Sequence, residues 1–397
     1  MKDQLHSKRR TESLLMFFFC LFGAVDFSFA QTLTPYCYGI ASSADGSKLV
    51  AVASYGNNGE IYTSTNSGTK WTQQTNAPNL NWYSVASSAD GTKLAAGPEN
   101  GPIYISTNSG VDWMPTTSPS TFWTSIASSA DGTKLVAEQG HPGMGPIYTS
   151  DDSGLTWSTN NVPSLAWEGV ASSADGTKLV AVATTGEIYT STNSGGFWLR
   201  RAATGLFWTS VASSADGTKL VAAWGIGGIY TSPNSGATWA VTSAPTELWD
   251  SVASSVDGSR LVAVSDDLDT SNPGIVITST NSGLTWTTNT GPDFSYWSSV
   301  ASSADGNKLA ATPYNGSTIY TSRTTPSPQL SRAFVSNNFE VSWIVPSMNF
   351  ALQQNSDLTT TNWVTLTNVP TLNFTTLQNL VNLPPTNRTC FYRLATP

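Results

Sequence analysis

Three observations predict an all-β chain, a seven-bladed β-propeller followed by a small β-sandwich. One unit recurs seven times, each copy carries four short strand signals, and the composition is that of a turn-rich protein with large apolar anchors. "ASSADG" begins at Ala41, Ala86, Ala127, Ala171, Ala212 and Ala301, and "ASSVDG" at Ala253. A period of roughly 41 to 48 residues belongs to propeller blades and solenoids. Fifteen tryptophans and 32 glycines in a chain only 11% charged point to indole anchors and tight turns.

Residues 1–30 read as a signal peptide. Lys2, Lys8, Arg9 and Arg10 precede an apolar run from Leu14 to Val25, and Ser28-Phe29-Ala30 supplies small residues at a cleavage site after Ala30. The run is too short to span a membrane, and no later stretch is apolar enough. The expected product is exported, without a membrane span, monomeric, and begins near Gln31. Cleavage would remove four of 18 basic and three of 26 acidic residues, leaving 14 against 23, a balance of −9. Such a chain is a poor nucleic-acid binder, because phosphate neutralisation needs a basic patch. Cys37 and Cys390 sit at opposite ends, too few for a disulfide framework, and are expected as buried thiols. A single histidine, His141, follows the leader, which argues against histidine-rich zinc sites and Ser-His-Asp arrangements.

Within residues 31–324 each unit reads as four strands. The inner strand is "WTSVAS", the second "KLVAV", the third "IYTS", and the outer starts at the Trp closing "NSGATW". Each run is apolar and β-branched, bounded by Gly, Asp or Asn. The Asp-Gly pair of "SADGTK" makes the first turn: Gly takes positive φ cheaply and Asp bonds its own backbone. One four-stranded sheet cannot hide both faces, whereas a ring of such sheets can; an open β-solenoid is the other way to stack them. Two tryptophan series, Trp82, Trp123, Trp167, Trp208, Trp249, Trp297 and Trp71, Trp113, Trp157, Trp198, Trp239, Trp286, are expected to fill the core and wedge the blades apart. The seventh unit has no closing Trp, so the segment Gln31 to Pro35 is expected to supply its outer strand and close the ring. A Pro-rich linker at 325–328 leads into 329–397. There "LSRAFVSNNFEVSWIV" reads as a hairpin, with strands at "FALQQN", "NWVTLTN" and "CFYRLA" and a core of Trp343, Trp363 and Tyr392.

"SDDSGLTW" at Ser150 to Trp157 matches Ser-x-Asp-x-Gly-x-Thr-Trp throughout. "SPNSGATW" at Ser232 and "STNSGLTW" at Ser279 carry Asn at the Asp place, and the copies at Ser64, Ser106 and Ser191 lose the Thr as well. This resembles the Asp-box of the bacterial neuraminidase repeat. The chain is therefore similar to the sialidase-superfamily propellers, which include sortilin-type receptors, xyloglucanase-type hydrolases and the photosystem II assembly factor family. "SSADGTKLVAV" is also similar to the turn of WD-repeat-like propellers. The C-terminal pattern resembles fibronectin type III or immunoglobulin-like modules. The resemblance gives Asn66, Asn108, Asp152, Asn193, Asn234 and Asn281 a structural role at the turn from third to outer strand. It also implies that these turns lie on one face and the loops from second to third strand on the other.

Those loops are where the copies stop agreeing, and loops on a rigid scaffold carry function. Tyr55, Glu99, Glu138, His141, Trp224, Asp267 and Tyr314 are the candidate ligand-binding residues, with Asp266 and Asp269 nearby. Trp224 could stack on a sugar ring or plug the channel. "DDLDTSN" from Asp266 to Asn272 lacks the glycine and terminal glutamate of a calcium loop and reads as a solvated acidic loop, so no metal is expected. No Walker or dinucleotide fingerprint points to a cofactor. The sialidase chemistry implied by the resemblance needs three clustered arginines, and Arg200, Arg201, Arg260 and Arg323 all fall off the candidate face. The best reading is a non-catalytic module that binds a carbohydrate or a cell-surface protein. The alternatives are a glycoside hydrolase using Glu99, Glu138 or Asp267 and a purely structural surface protein.

Overall fold

The computed structural model describes residues 27–32, 36–55, 58–140, 143–203, 206–266, 274–289, 296–314, 318–323, 330–335, 338–345, 350–357, 360–374, 376–383 and 390–395. These residues form a β-propeller and a second all-β unit. Seven four-stranded antiparallel sheets follow one another along the chain. In the first blade the strands are Tyr36–Ser42, Leu49–Tyr55, Asn58–Ser64 and Thr72–Gln73. The inner strands of successive blades pack side by side, and that of the seventh, Trp297–Ser302, packs on that of the first.

The "SADG" words close the circle. The amide of Ala44 donates to the carbonyl of Ala89, and the relay continues through Ala130, Ala174, Ala215, Val256 and Ala304, whose amide donates back to Ala44, at 2.7 to 2.8 Å throughout. Each link spans two blades, so the turn that builds a blade also fixes its neighbour. Around it, Lys48 Nζ reaches Ser109 Oγ of the next blade at 3.2 Å, and Lys308 Nζ crosses the seam from the seventh blade to Ser67 Oγ at 3.0 Å.

The inner-strand tryptophans are fully buried: Trp82, Trp123, Trp167, Trp208 and Trp249 at 0% exposure and Trp297 at 1%. Each fills the space between blades. Trp167, for example, packs on Val136 and Ile147 of the preceding blade and on Leu179 and Ala181 of its own. The closing tryptophans join the same clusters, with Trp82 and Trp113 ring centroids 6.4 Å apart. Cys37 takes the tryptophan's place in the first blade, where burial pushes its thiol up to about 12. Cys390 is a half-buried thiol in the second unit, less covered than expected.

The ring is closed by a strand at Phe27–Thr32, paired antiparallel with Thr318–Arg323. Gln31 and Thr32 of the expected segment, Gln31 to Pro35, pair with Ile319 and Thr318, but the strand begins four residues earlier than expected. Spacing gives the reason. The residue opposite the third-strand Tyr precedes the next inner-strand Trp by eight residues in most blades, as Thr159 precedes Trp167 and Val241 precedes Trp249. Phe29, opposite Tyr320, precedes Cys37 by the same interval, whereas a strand starting at Gln31 would leave too short a connection. Pro35 also has no N–H to give the ladder.

The second unit has two sheets. One orders Ser331–Val335, Asn338–Ile344, Gln378–Leu383 and Thr371–Asn373; the other orders Val364–Thr365, Ala351–Asn355 and Phe391–Ala395. Val341, Trp343, Leu352, Val381 and Leu383 form their shared core, with Tyr392 packed against it. Trp363 is only half-buried; the Arg393 guanidinium lies 4.3 Å from its ring centroid, so it is not the core residue expected. The unit caps one end of the ring: Val345, Ile344, Leu372 and Leu377 pack on Ala44, Val256 and Ala304. Leu377 lines the channel cavity of about 160 Å³ bounded by the serines and alanines of the turn words.

Candidate functional site

The turns occupy the capped end of the ring. In every blade except the seventh, the turn between third and outer strand hydrogen-bonds to the turn between first and second, as Ser153 N does to Thr133 O at 2.8 Å. Ser150 Oγ donates to Asp152 Oδ1 and accepts from Gly154 N, and Asp152 Oδ1 accepts from Thr156 N at 2.9 Å. Asn66, Asn108, Asn193, Asn234 and Asn281 take the same position in their own copies. Each turn needs two consecutive left-handed residues, such as Ser153 at φ 62° and Gly154 at φ 87°. These side chains are consumed by their own loops.

The other end is built differently. Every inner strand carries a β-bulge one residue after the tryptophan position: at Tyr38, Tyr83, Thr124, Glu168, Thr209, Asp250 and Ser298. A bulge leaves one residue out of the ladder and re-aims its side chain. Seven blades thus present seven bulge residues around the axis. The hydroxyl residues turn to the scaffold. Thr209 Oγ1 donates to Trp249 O at 2.6 Å and Ser298 Oγ to Cys37 O at 2.7 Å, each bracing the next blade. Thr124 Oγ1 donates to Glu138 Oε1 at 3.3 Å.

The other four meet at the mouth. Tyr38 and Tyr83 have ring centroids 5.2 Å apart; Tyr83 packs edge-on to Phe122 at 4.7 Å, and Tyr314 lies edge-on to Tyr38 at 5.4 Å and stacked with Tyr36 at 6.0 Å. Burial raises the Tyr83 hydroxyl, and the charges of Glu168, Asp250, Tyr314 and Glu99 raise it further. Residues of blades two, four, six and seven therefore sense one another across the axis.

Three carboxyls belong to this end of the ring, Glu168 and Asp250 partly exposed and Glu138 buried. Glu138 is 0% exposed, and its Oε2 has no hydrogen-bond partner among the described residues. It occupies the second-strand position held in the other blades by Val52, Gly97, Val182, Ala223, Val264 and Thr312. Burial and then the nearby Glu168 push its pKa well up against the opposing Thr124 bond. Burial lifts Glu168 to about 7, and its Oε2 is likewise buried without a partner. Burial, then Asp266 and Glu168, lift Asp250 to about 8. No lysine or arginine contributes to any of these shifts, which are what carboxyls removed from water without counter-charge show.

Of the residues expected from the loops, the structure brings Glu138 and Tyr314 into this mouth and places Glu99 at its rim, exposed and accepting from Asn81 Nδ2 at 2.9 Å. Trp224 packs on the fifth-blade cluster around Trp208, with its ring against Gly227. Asp266 acts on Asp250 from the end of the second strand. His141, Asp267 and Asp269 lie outside the described residues, as does the side chain of Tyr55. Among the described residues no group of three acids, histidines or cysteines could hold a metal ion. Arg260 sits in a turn of the capped end and Arg200 and Arg201 on an outer strand; among the described residues no arginine triad forms at the mouth. Tyr36, Tyr38, Tyr83, Phe122, Glu168 and Asp250 were not among the candidates. For Tyr38, Tyr83, Glu168 and Asp250 the signal was the second letter of the inner-strand word, which changes from "WTS" to "CYG", "WYS", "WEG" and "WDS"; Tyr36 and Phe122 stand just before that word and carry no such mark.

No protein-family model matches the chain, and no curated protein does. Solved structures share the fold. The GH74 xyloglucanase from Xanthomonas campestris superposes with a TM-score of 0.58 at 15% identity over 81% of this chain and 59% of its own, so the chain spans about three fifths of that protein. YCF48 bound to D1 peptide gives 0.57 at 17% identity over 77% of this chain and 98% of its own. YCF48 from Cyanidioschyzon merolae gives 0.58 at 13% identity over 76% and 98%. At such identities the likeness establishes the propeller fold and is silent on activity.

Proposed function

We propose that this chain is an exported, non-catalytic binding module that takes its partner at the open end of the propeller. One observation carries the reading: the bulge residues that differ between blades converge, with Glu138 and Tyr314, on a single mouth, while the opposite end is bonded into turns and capped by the second unit. A rigid ring with a variable mouth is how a repeat scaffold presents a recognition surface. That a structural neighbour is bound to a peptide favours a segment of a surface protein over a carbohydrate as the partner, although the tyrosines would also stack on a sugar ring. The two-sheet C-terminal unit, of fibronectin III or immunoglobulin-like pattern, serves as a plug and spacer.

The test is an array of glycans and peptides probed with the whole chain, with a reducing-end assay on the glycans. The expected result is a ligand lost in Tyr314→Ala and kept in Asn234→Ala at the opposite end. Turnover of a glycan, or a ligand lost only in the Asn234 variant, would contradict the reading.

A further inference from the structure

The mouth has a property that recognition through variable loops does not by itself require. It brings carboxyls and aromatic rings together, and among the described residues no lysine or arginine contributes to the electrostatics of its carboxyls. Glu138 fills a core position where only the long Thr124 bond to Oε1 offsets a carboxylate's desolvation, and its Oε2 is buried without a partner among the described residues. Glu168 Oε2 is in the same state. Buried polar atoms are nearly always hydrogen-bonded, and a buried charge needs a partner. At the same mouth, Tyr38, Tyr83, Phe122 and Tyr314 form a contiguous aromatic wall. Aromatic faces and carboxylates attract the same ligand, a cation with several N–H donors. The lysines of the propeller whose ammonium contacts are described are engaged with turns of the capped end, as are Lys48, Lys93, Lys134, Lys178, Lys219 and Lys308, so none of these fills the role from within.

We propose that the open mouth of the ring binds an organic cation, the ammonium or guanidinium of a basic side chain on a protein segment, held by Glu168 and Asp250 with the charge of the buried Glu138 behind them, and covered by Tyr83 and Tyr38. This rests on reading the open end as the binding face and deepens it by naming what is bound. The chemistry disfavours a metal ion, since the acids do not cluster at metal-ligand spacing. A free polyamine carries the same cation, so the experiment must separate the two sources.

Among the described residues, the groups facing these carboxyls are each other, Asp266, Glu99 and the Tyr38, Tyr83 and Tyr314 hydroxyls. All are acids, so binding a cation ionises the carboxyls and releases protons, and affinity rises with pH.

The experiment titrates the whole chain with a hexalysine peptide, its acetyl-lysine counterpart and spermidine, by calorimetry in two buffers of different ionisation heat, at pH 6 and pH 8.5. The expected result is binding of hexalysine, none of the acetylated peptide, proton release, and an affinity at least about tenfold higher at pH 8.5. Spermidine binding as tightly as hexalysine would assign the site to a free amine and overturn the protein-segment source. Glu138→Val supplies the residue found at three equivalent positions, so it keeps the fold. It should raise the melting temperature while weakening hexalysine by about tenfold or more. A Glu138→Val chain that melts lower, or that binds hexalysine unchanged, overturns the inference. A ligand from the array that depends on Tyr314 yet ignores Glu138→Val, Glu168→Gln and Asp250→Asn would overturn the cation and leave the binding face standing. The absence of any Tyr314-dependent ligand would remove both.

Discussion

Glu138 shows how one letter can oppose the fold that surrounds it. Six counterparts at its position carry no charge, and the ring closes around all seven alike. Such a residue is legible in the sequence as a deviation from its own repeat, and the loop comparison did single it out. Glu168 and Asp250 are not legible from the loops, because they sit inside a strand word and only a bulge turns them toward the axis. The raised carboxyls make stability depend on pH. A carboxyl held above its unfolded value binds its proton more tightly in the folded chain. Its contribution is therefore complete below about pH 4 and is lost as pH rises through about 7 for Glu168 and about 8 for Asp250. Glu138 acts in the same direction. The turn aspartates act oppositely. At Asp45 burial would raise the pKa, but bonds from Ser43 and Ser47 hold it below the ordinary value, so stability is lost as pH falls below about 4. Thermal melts across pH should thus peak between about 4 and 6, and Asp250→Asn should flatten the alkaline limb. A profile that rises steadily to pH 9 would refute the carboxyl assignments. Cys37 offers a second check. Buried and with its thiol raised to about 12, it should resist a thiol reagent in the native chain and react on unfolding; prompt native labelling would show the first blade to be open.

At the scale of the element, the turns and tryptophans were legible because their chemistry is local. Asp-Gly specifies a hairpin wherever it occurs, and all seven such glycines have φ between 63° and 69°. Gly132→Ala, at φ 67° with the Lys93 side chain 2.8 Å from the new Cβ, should cost about 1 kcal/mol or more in a denaturant melt. Trp123, at 0% exposure between two blades, should cost about 3–5 kcal/mol on replacement by Ala. A loss at Trp123 no larger than at Gly132 would mean that the indoles do not lock the blades. The bulges were not legible. They arise because the inner strand must curve at the axis against a straighter second strand, and nothing in "WTSVAS" marks which residue steps out. The outer strands were legible only as starting points, and most are two or three residues long.

For the whole molecule, the need for a closing strand was readable from the missing tryptophan of the seventh unit, but its place followed from a spacing that only the pairing reveals. The strand at Phe27–Thr32 includes Ala30, so the expected cleavage after Ala30 would divide it. Three truncations measure what it contributes. A chain beginning at Phe27 should melt highest, one beginning at Gln31 lower, and one beginning at Leu33 lowest; equal melting temperatures would mean that the strand does not hold the ring. The C-terminal unit could be placed after the propeller from the sequence, but not on it, because the contact depends on Leu377 at φ 51° reaching the ring of alanines. That contact leaves a single open end for a partner. Hydrogen exchange of the whole chain with and without an array-selected ligand tests this directly. Protection is predicted at Tyr83, Glu168, Asp250 and Tyr314 and their immediate neighbours. Protection centred on the Asp-Gly turns or on the second unit, with those four segments unchanged, would contradict it.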